Sequence, residues 1–65
     1  MNSTIAEQDA EVRVLCYNNA PECDVVVAFR GKEMSLRCRD YSQAIKWARM
    51  ECRAYKIAGG FTVER

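Results

Sequence analysis

The 65-residue chain contains no histidine, one proline and three glycines. Without histidine it lacks the side chain that most often transfers protons near neutral pH. It also has no G-x-S-x-G motif and no glycine-rich loop that could cradle a phosphate. A domain of this size encloses little of a pocket. We therefore expect that the protein is not an enzyme and uses no cofactor.

Long apolar runs are also missing. No stretch is long enough to cross a membrane. The N-terminal sequence MNSTIAEQDA lacks the basic and apolar regions of a secretory signal. We therefore expect a cytoplasmic protein with no membrane partner, whose cysteines remain reduced.

The four cysteines do not have the spacing of a metal site. They include no C-x-x-C pair, whereas structural zinc sites usually present their ligands in close pairs. We expect no metal. Cys16, Cys38 and Cys52 fall on predicted inward faces, where a free cysteine behaves as a small apolar residue. Cys23 is predicted to lie in a loop beside Asp24, whose carboxylate would raise the pKa of the thiol and leave it unreactive.

Residues 24–39 have the clearest pattern in the chain and predict a β-hairpin. Placing a two-residue turn at Gly31-Lys32 favours a type II′ turn, which suits glycine at its first position. The other face then pairs opposite charges, Arg30 with Glu33 and Asp24 with Arg39. The predicted inward, apolar face consists of Val25, Val27, Phe29, Met34, Leu36 and Cys38.

The flanking segments complete the predicted fold. Residues 1–10 are acidic and without periodicity, and we expect a disordered tail; residues 11–65 would form a single domain. A strand is predicted over residues 12–17 and a short last strand over residues 61–65, with Phe61 and Val63 inward. Between them, Asp40 and Gln43 have the form of a capping box for a helix that reaches Ile57 and ends at Gly59. The prediction is an α+β domain of order β-β-β-α-β, an antiparallel meander with one helix packed on one face and a short C-terminal strand.

The helical segment carries two apolar stripes. The first is predicted to pack on the sheet and contains Tyr41, Ala44, Ile45, Ala48, Cys52 and Tyr55. The second lies about 140° around the axis at 100° per residue. A sheet covers one side of a helix, so we expect the second stripe to be exposed unless its tryptophan leans over a sheet edge or the N-terminal tail folds across it. Tryptophan and methionine are enriched in interfaces, which makes this stripe a candidate protein interface: Trp47, Met50, Ala54 and Ile57.

The sheet face without a helix offers an alternative surface. It combines arginines with a tyrosine, side chains that can contact phosphates and stack on a base. The order of elements from Val12 to Tyr55 resembles that of the small sheet-plus-helix DNA-binding domains at the N-termini of phage-type integrases. The resemblance implies a sheet inserted in the major groove. The candidate nucleic-acid contacts are Arg13, Tyr17, Arg37 and Arg39.

The sequence does not determine the function. It favours a small non-enzymatic protein-interaction module whose partner is itself, as a homodimer, or another protein. The alternative is a nucleic-acid-binding domain that uses the exposed sheet face. The charge is almost balanced, with ten basic and nine acidic side chains, so it permits an anionic partner without requiring one.

Overall fold

A four-stranded sheet with one helix packed on it makes up residues 10–65, the part of the chain that the computed structural model describes. This arrangement confirms the predicted α+β fold. Apart from Ala10, which begins the first strand, the predicted tail lies outside the described residues. The elements are β1 (Ala10–Cys16), β2 (Cys23–Phe29), β3 (Lys32–Cys38), α1 (Tyr41–Ala54) and β4 (Thr62–Glu64).

The strands lie in the order β3-β2-β1-β4. The first three form the predicted antiparallel meander, and β4 pairs in parallel with β1, with Val63 beside Val14. The edges of the sheet are therefore unequal, since β3 has seven residues and β4 has three.

The hairpin turn lies one residue earlier than predicted. Arg30 and Gly31 are its central residues, with φ of 53° and 81°. Positive φ at both positions is typical of a type I′ turn, so the predicted type II′ turn is wrong. Val27 consequently pairs with Met34 and Val25 with Leu36. This pairing differs from the predicted one by two residues, so every side chain stays on its predicted face although its cross-strand neighbour changes.

The helix begins as predicted. The Asp40 carboxylate accepts a hydrogen bond from the backbone N–H of Gln43 at 2.9 Å. The Gln43 side-chain oxygen reaches back and accepts from the backbone N–H of Arg39 at 2.8 Å. Two amides near the start of the helix are thus satisfied by side chains, which fixes its start at Tyr41.

The helix ends earlier than predicted, at Ala54. Lys56, with φ of 58°, occupies the left-handed position that was predicted for Gly59. The Ile57 N–H donates to the Cys52 carbonyl at 2.9 Å, and the Lys56 N–H donates to the Arg53 carbonyl at 3.2 Å. These are the two hydrogen bonds of a Schellman motif. It turns the chain so that Ile57 packs against the core.

The core between the helix and the sheet is built from small side chains. Ala44, Ala48 and Cys52 are the buried residues of α1. They contact the valines of β1 and β2, and the helix lies mainly over those two strands. Tyr41, which was predicted to be on the packed stripe, is exposed.

β3 lies at the margin of this cover. Met34 is 58% exposed and Leu36 is 41% exposed, so the prediction that both belong to the core is wrong. They do lie on the helix face of the sheet, opposite Val27 and Val25. The helix packs closely through its alanines on the neighbouring strands and therefore covers Met34 and Leu36 only in part. No helix among residues 10–65 is long and apolar enough to cross a membrane.

Candidate protein-binding groove beside the edge strand

An open, largely apolar groove runs between α1 and β3 and encloses about 230 Å³. Its sides come from different elements, with Trp47 and Glu51 on the helix and Met34 and Leu36 on the strand. The lining residues are Val25, Val27, Met34, Ser35, Leu36, Trp47 and Glu51. Trp47 is 36% exposed, so its indole forms a wall of the groove rather than part of the core.

The backbone of β3 forms one side of this groove and is a free sheet edge. Next to a two-residue turn, the flanking pair Phe29 and Lys32 is hydrogen-bonded, and the bonds then alternate along the ladder. The N–H and C=O groups of Glu33, Ser35 and Arg37 therefore point away from β2. β3 contains no proline. Proline on an edge strand is one of the features by which natural sheets avoid pairing with another chain.

The predicted helix stripe is only partly assembled into this site. Trp47 lines the groove, whereas Met50 is exposed beyond Trp47, in a more polar depression with Lys46. Ala54 is exposed at the end of the helix. Ile57 is half-buried and packs against the core, so its predicted exposure is wrong.

On the outer face, which is the sheet face away from α1, Tyr17 and Arg37 converge on Asp24. The Tyr17 hydroxyl donates to the Asp24 carboxylate at 2.6 Å, and Arg37 Nε donates to it at 2.5 Å. The guanidinium also lies 5.9 Å from the centre of the Tyr17 ring. Hydrogen bonds from Arg37 and then Tyr17 hold the pKa of Asp24 below its usual value. The predicted partner of Asp24 was Arg39, and that prediction is wrong.

Arg13 makes a second ionic cluster on the outer face. From β1 its guanidinium crosses β2 to reach Glu33 on β3 at 3.5 Å, and it also lies 3.8 Å from Glu64 on β4. Val26, directly beside Arg13 on β2, is buried. Glu33 therefore pairs with Arg13 rather than with Arg30 as predicted. Arg39 is the one nucleic-acid candidate with no carboxylate partner among the described residues.

Three cysteines lie side by side across the sheet. Cys23 is the first residue of β2, between Cys16 on β1 and Cys38 on β3. The prediction that Cys23 lies in a loop is therefore wrong. The sulfurs of Cys16 and Cys23 are 3.4 Å apart. Burial, and then the hydrogen bond to Cys16, raises the pKa of the Cys23 thiol to about 11.

Met34 and Leu36 are the site residues that sequence reasoning missed. The signal that could have found them is the narrow packed stripe of α1, whose alanines bring the helix too close to the sheet to cover three strands. Within residues 10–65, no three histidine, cysteine or acidic side chains form a group that could hold a metal ion. The chain matches no known protein family, no curated protein and no solved structure.

Proposed function

We propose that the protein is a non-enzymatic interaction module that binds an extended polypeptide segment alongside β3. The observation that carries this proposal is the exposure of β3, in which Cys38 is the one buried residue of seven. A segment added to this edge would receive main-chain hydrogen bonds from Glu33, Ser35 and Arg37. Such strand addition is a recurring mode of peptide recognition.

The groove supplies the apolar part of the interaction. Every second side chain of an added strand would lie on the helix face, beside Met34 and Leu36 and near Trp47. Removing these side chains from water contributes about 25 cal/mol per Å² of apolar surface. A small-molecule site is less well supported, because such sites typically enclose about 300–1,000 Å³ and this groove encloses about 230 Å³.

The charges of β3 would select the segment. Glu33 and Arg37 lie on the outer face at the two ends of the free edge. A segment with a basic residue opposite Glu33 and an acidic residue opposite Arg37 would be favoured, since opposite charges on neighbouring strands attract each other.

The nucleic-acid alternative has weaker support. Arg13 and Arg37 are already engaged by carboxylates, and the Tyr17 hydroxyl donates to Asp24. A phosphate would have to share these guanidinium groups with carboxylates that already offset much of their positive charge. Arg39 alone provides little of the basic surface that nucleic-acid binding requires.

A displayed library of random peptides tests the proposal. We expect wild-type protein to enrich peptides with alternating apolar residues, and Ser35→Pro to abolish their binding because proline removes an outward N–H. Ser35→Ala is the matched control, since it removes the hydroxyl and keeps the N–H. Trp47→Ala should weaken the same peptides. Enriched peptides that bind Ser35→Pro as well as wild type, with circular dichroism showing both folded, would contradict the proposal, as would enrichment of none.

A further inference from the structure

We infer that the segment bound at this edge is β3 of a second copy of the chain, antiparallel to the first, with Ser35 facing Ser35 across a two-fold axis. The inference rests on the proposed function and names its partner. It joins two sheets into one of eight strands and closes both long edges in a single symmetric contact, as isologous dimers do.

The sequence of β3 is complementary to itself in this arrangement. When two antiparallel copies of β3, with the sequence KEMSLRC, are paired at Ser35, Glu33 of one copy lies opposite Arg37 of the other. Met34 of one copy likewise lies opposite Leu36 of the other. Both charge pairs then lie on the outer face, and both apolar pairs lie on the helix face beside the two grooves.

The hydrogen-bonding pattern of the edge fits the same register. Glu33, Ser35 and Arg37 carry the outward N–H and C=O groups, and in this register they pair only with one another. Met34 and Leu36 then form the non-hydrogen-bonded pairs, in which the Cα atoms approach to about 4.5 Å and side chains pack more closely. The apolar side chains thus occupy the closer positions.

The neighbouring registers are less complementary. A two-fold axis at Met34 places Glu33 opposite Ser35 and Lys32 opposite Leu36. An axis at Leu36 places Arg37 opposite Ser35 and Met34 opposite the buried Cys38. The register centred on Ser35 therefore combines both charge pairs with both apolar pairs.

The charged side chains are already positioned for this contact. Glu33 is held beside Arg13, and Arg37 is held beside Asp24. In the dimer, each glutamate would lie between two arginines and each Arg37 between two carboxylates. Networks of this kind are more effective than isolated exposed pairs, because the side chains lose less freedom on binding.

Two charge reversals test the register. In Glu33→Arg the edge carries cations at positions 33 and 37, and in Arg37→Glu it carries carboxylates at both. Each variant alone should sediment as a monomer of 7.5 kDa under reducing conditions, whereas wild type approaches twice that mass as its concentration rises. An equal mixture of the two variants should again form dimers, because both cross-strand pairs become complementary. Lys32→Glu is the control: it also reverses a charge on β3 but keeps Glu33 and Arg37, so by itself it should dimerise as wild type does.

The outcomes separate this inference from the proposed function. A wild type that remains monomeric at millimolar concentration overturns the inference, and so does a mixture that fails to dimerise although both variants are folded. Peptide binding that is lost in Ser35→Pro would in those cases still support the proposed function. Association that is absent from each variant by itself and restored in the mixture supports the inference. A folding defect in each variant would not be repaired by mixing.

Discussion

β2 and β3 are strands of equal length joined by one tight turn, yet they differ sharply in burial. Four of the seven residues of β2 are buried, and one of the seven residues of β3 is. Both strands present valine, leucine or methionine to the helix face. The difference arises from their positions, because β2 is central and lies under α1 whereas β3 is an edge at the margin of the helix.

This contrast shows that alternation assigns a residue to a face but does not bury it. Burial on an open sheet requires an element above the residue as well as neighbours on both sides. Val25 has both and is 2% exposed, whereas its partner Leu36 has a strand on one side and is 41% exposed. The same apolar pattern therefore makes core in one strand and a candidate binding surface in the other.

Val25→Ala, in the buried strand β2, should destabilise the protein most. Removing two buried methyl groups and leaving a cavity should lower the free energy of unfolding by about 2–3 kcal/mol. For so small a domain this corresponds to a melting temperature lower by about 4–8 °C per kcal/mol. Urea denaturation of dilute protein measures it. A loss well under 1 kcal/mol would mean that β2 is not the centre of the core.

A smaller effect is expected from the ion pair that joins β2 to β3. The folded-state pKa of Asp24 is lowered by Arg37 and Tyr17, so this carboxylate contributes stability above its unfolded pKa of about 3.9. That contribution is lost as the pH falls through the lower folded-state pKa. Asp24→Asn should therefore be less stable than wild type at pH 7.

The difference between Asp24→Asn and wild type should disappear in acid. Denaturation curves at a series of pH values measure it, and Glu22→Gln in the neighbouring loop is the control that should leave the pH dependence almost unchanged. A constant difference down to the lowest pH would show that Asp24 does not titrate with a lowered pKa.

Leu36→Ala should have the smallest effect on stability, although it removes more atoms than Val25→Ala. Because Leu36 is 41% exposed, truncation removes only partly buried surface and leaves no closed cavity, so it should cost about 1–1.5 kcal/mol in the monomer. It should nevertheless weaken edge binding. A loss of 2 kcal/mol or more at dilutions where the protein is monomeric would place Leu36 in the core after all.

The local features of the fold could be predicted from the sequence, because nearby residues determine them. Asp40 and Gln43 cap the helix whatever it packs against, and the face of each hairpin residue follows from alternation. The turn was misplaced because Gly31 suits either of two turns that differ by one residue. The place of β4 beside β1 could not be predicted, since three residues carry little information on register.

The candidate site depended on packing that sequence periodicity does not report. The exposure of Trp47 follows from the two stripes of the helix, and the structure places it on the groove. The height and position of the helix over the sheet are set by the contacts of Ala44 and Ala48 with the valines of β1 and β2. These alanines and valines are far apart in the sequence. The exposure of Met34 and Leu36 can be predicted only when the position of the helix is known.

Amide hydrogen exchange along β3 at increasing protein concentration reports directly on whether two β3 edges pair. In the monomer, the amides of Met34 and Leu36 are bonded to β2 and should exchange slowly, whereas those of Glu33, Ser35 and Arg37 point to solvent and should exchange rapidly. We predict that the three rapid amides become protected together as concentration rises, and that Ser35→Pro prevents protection at the other two. An alternating pattern that is the same at every concentration would show that the β3 edges do not pair.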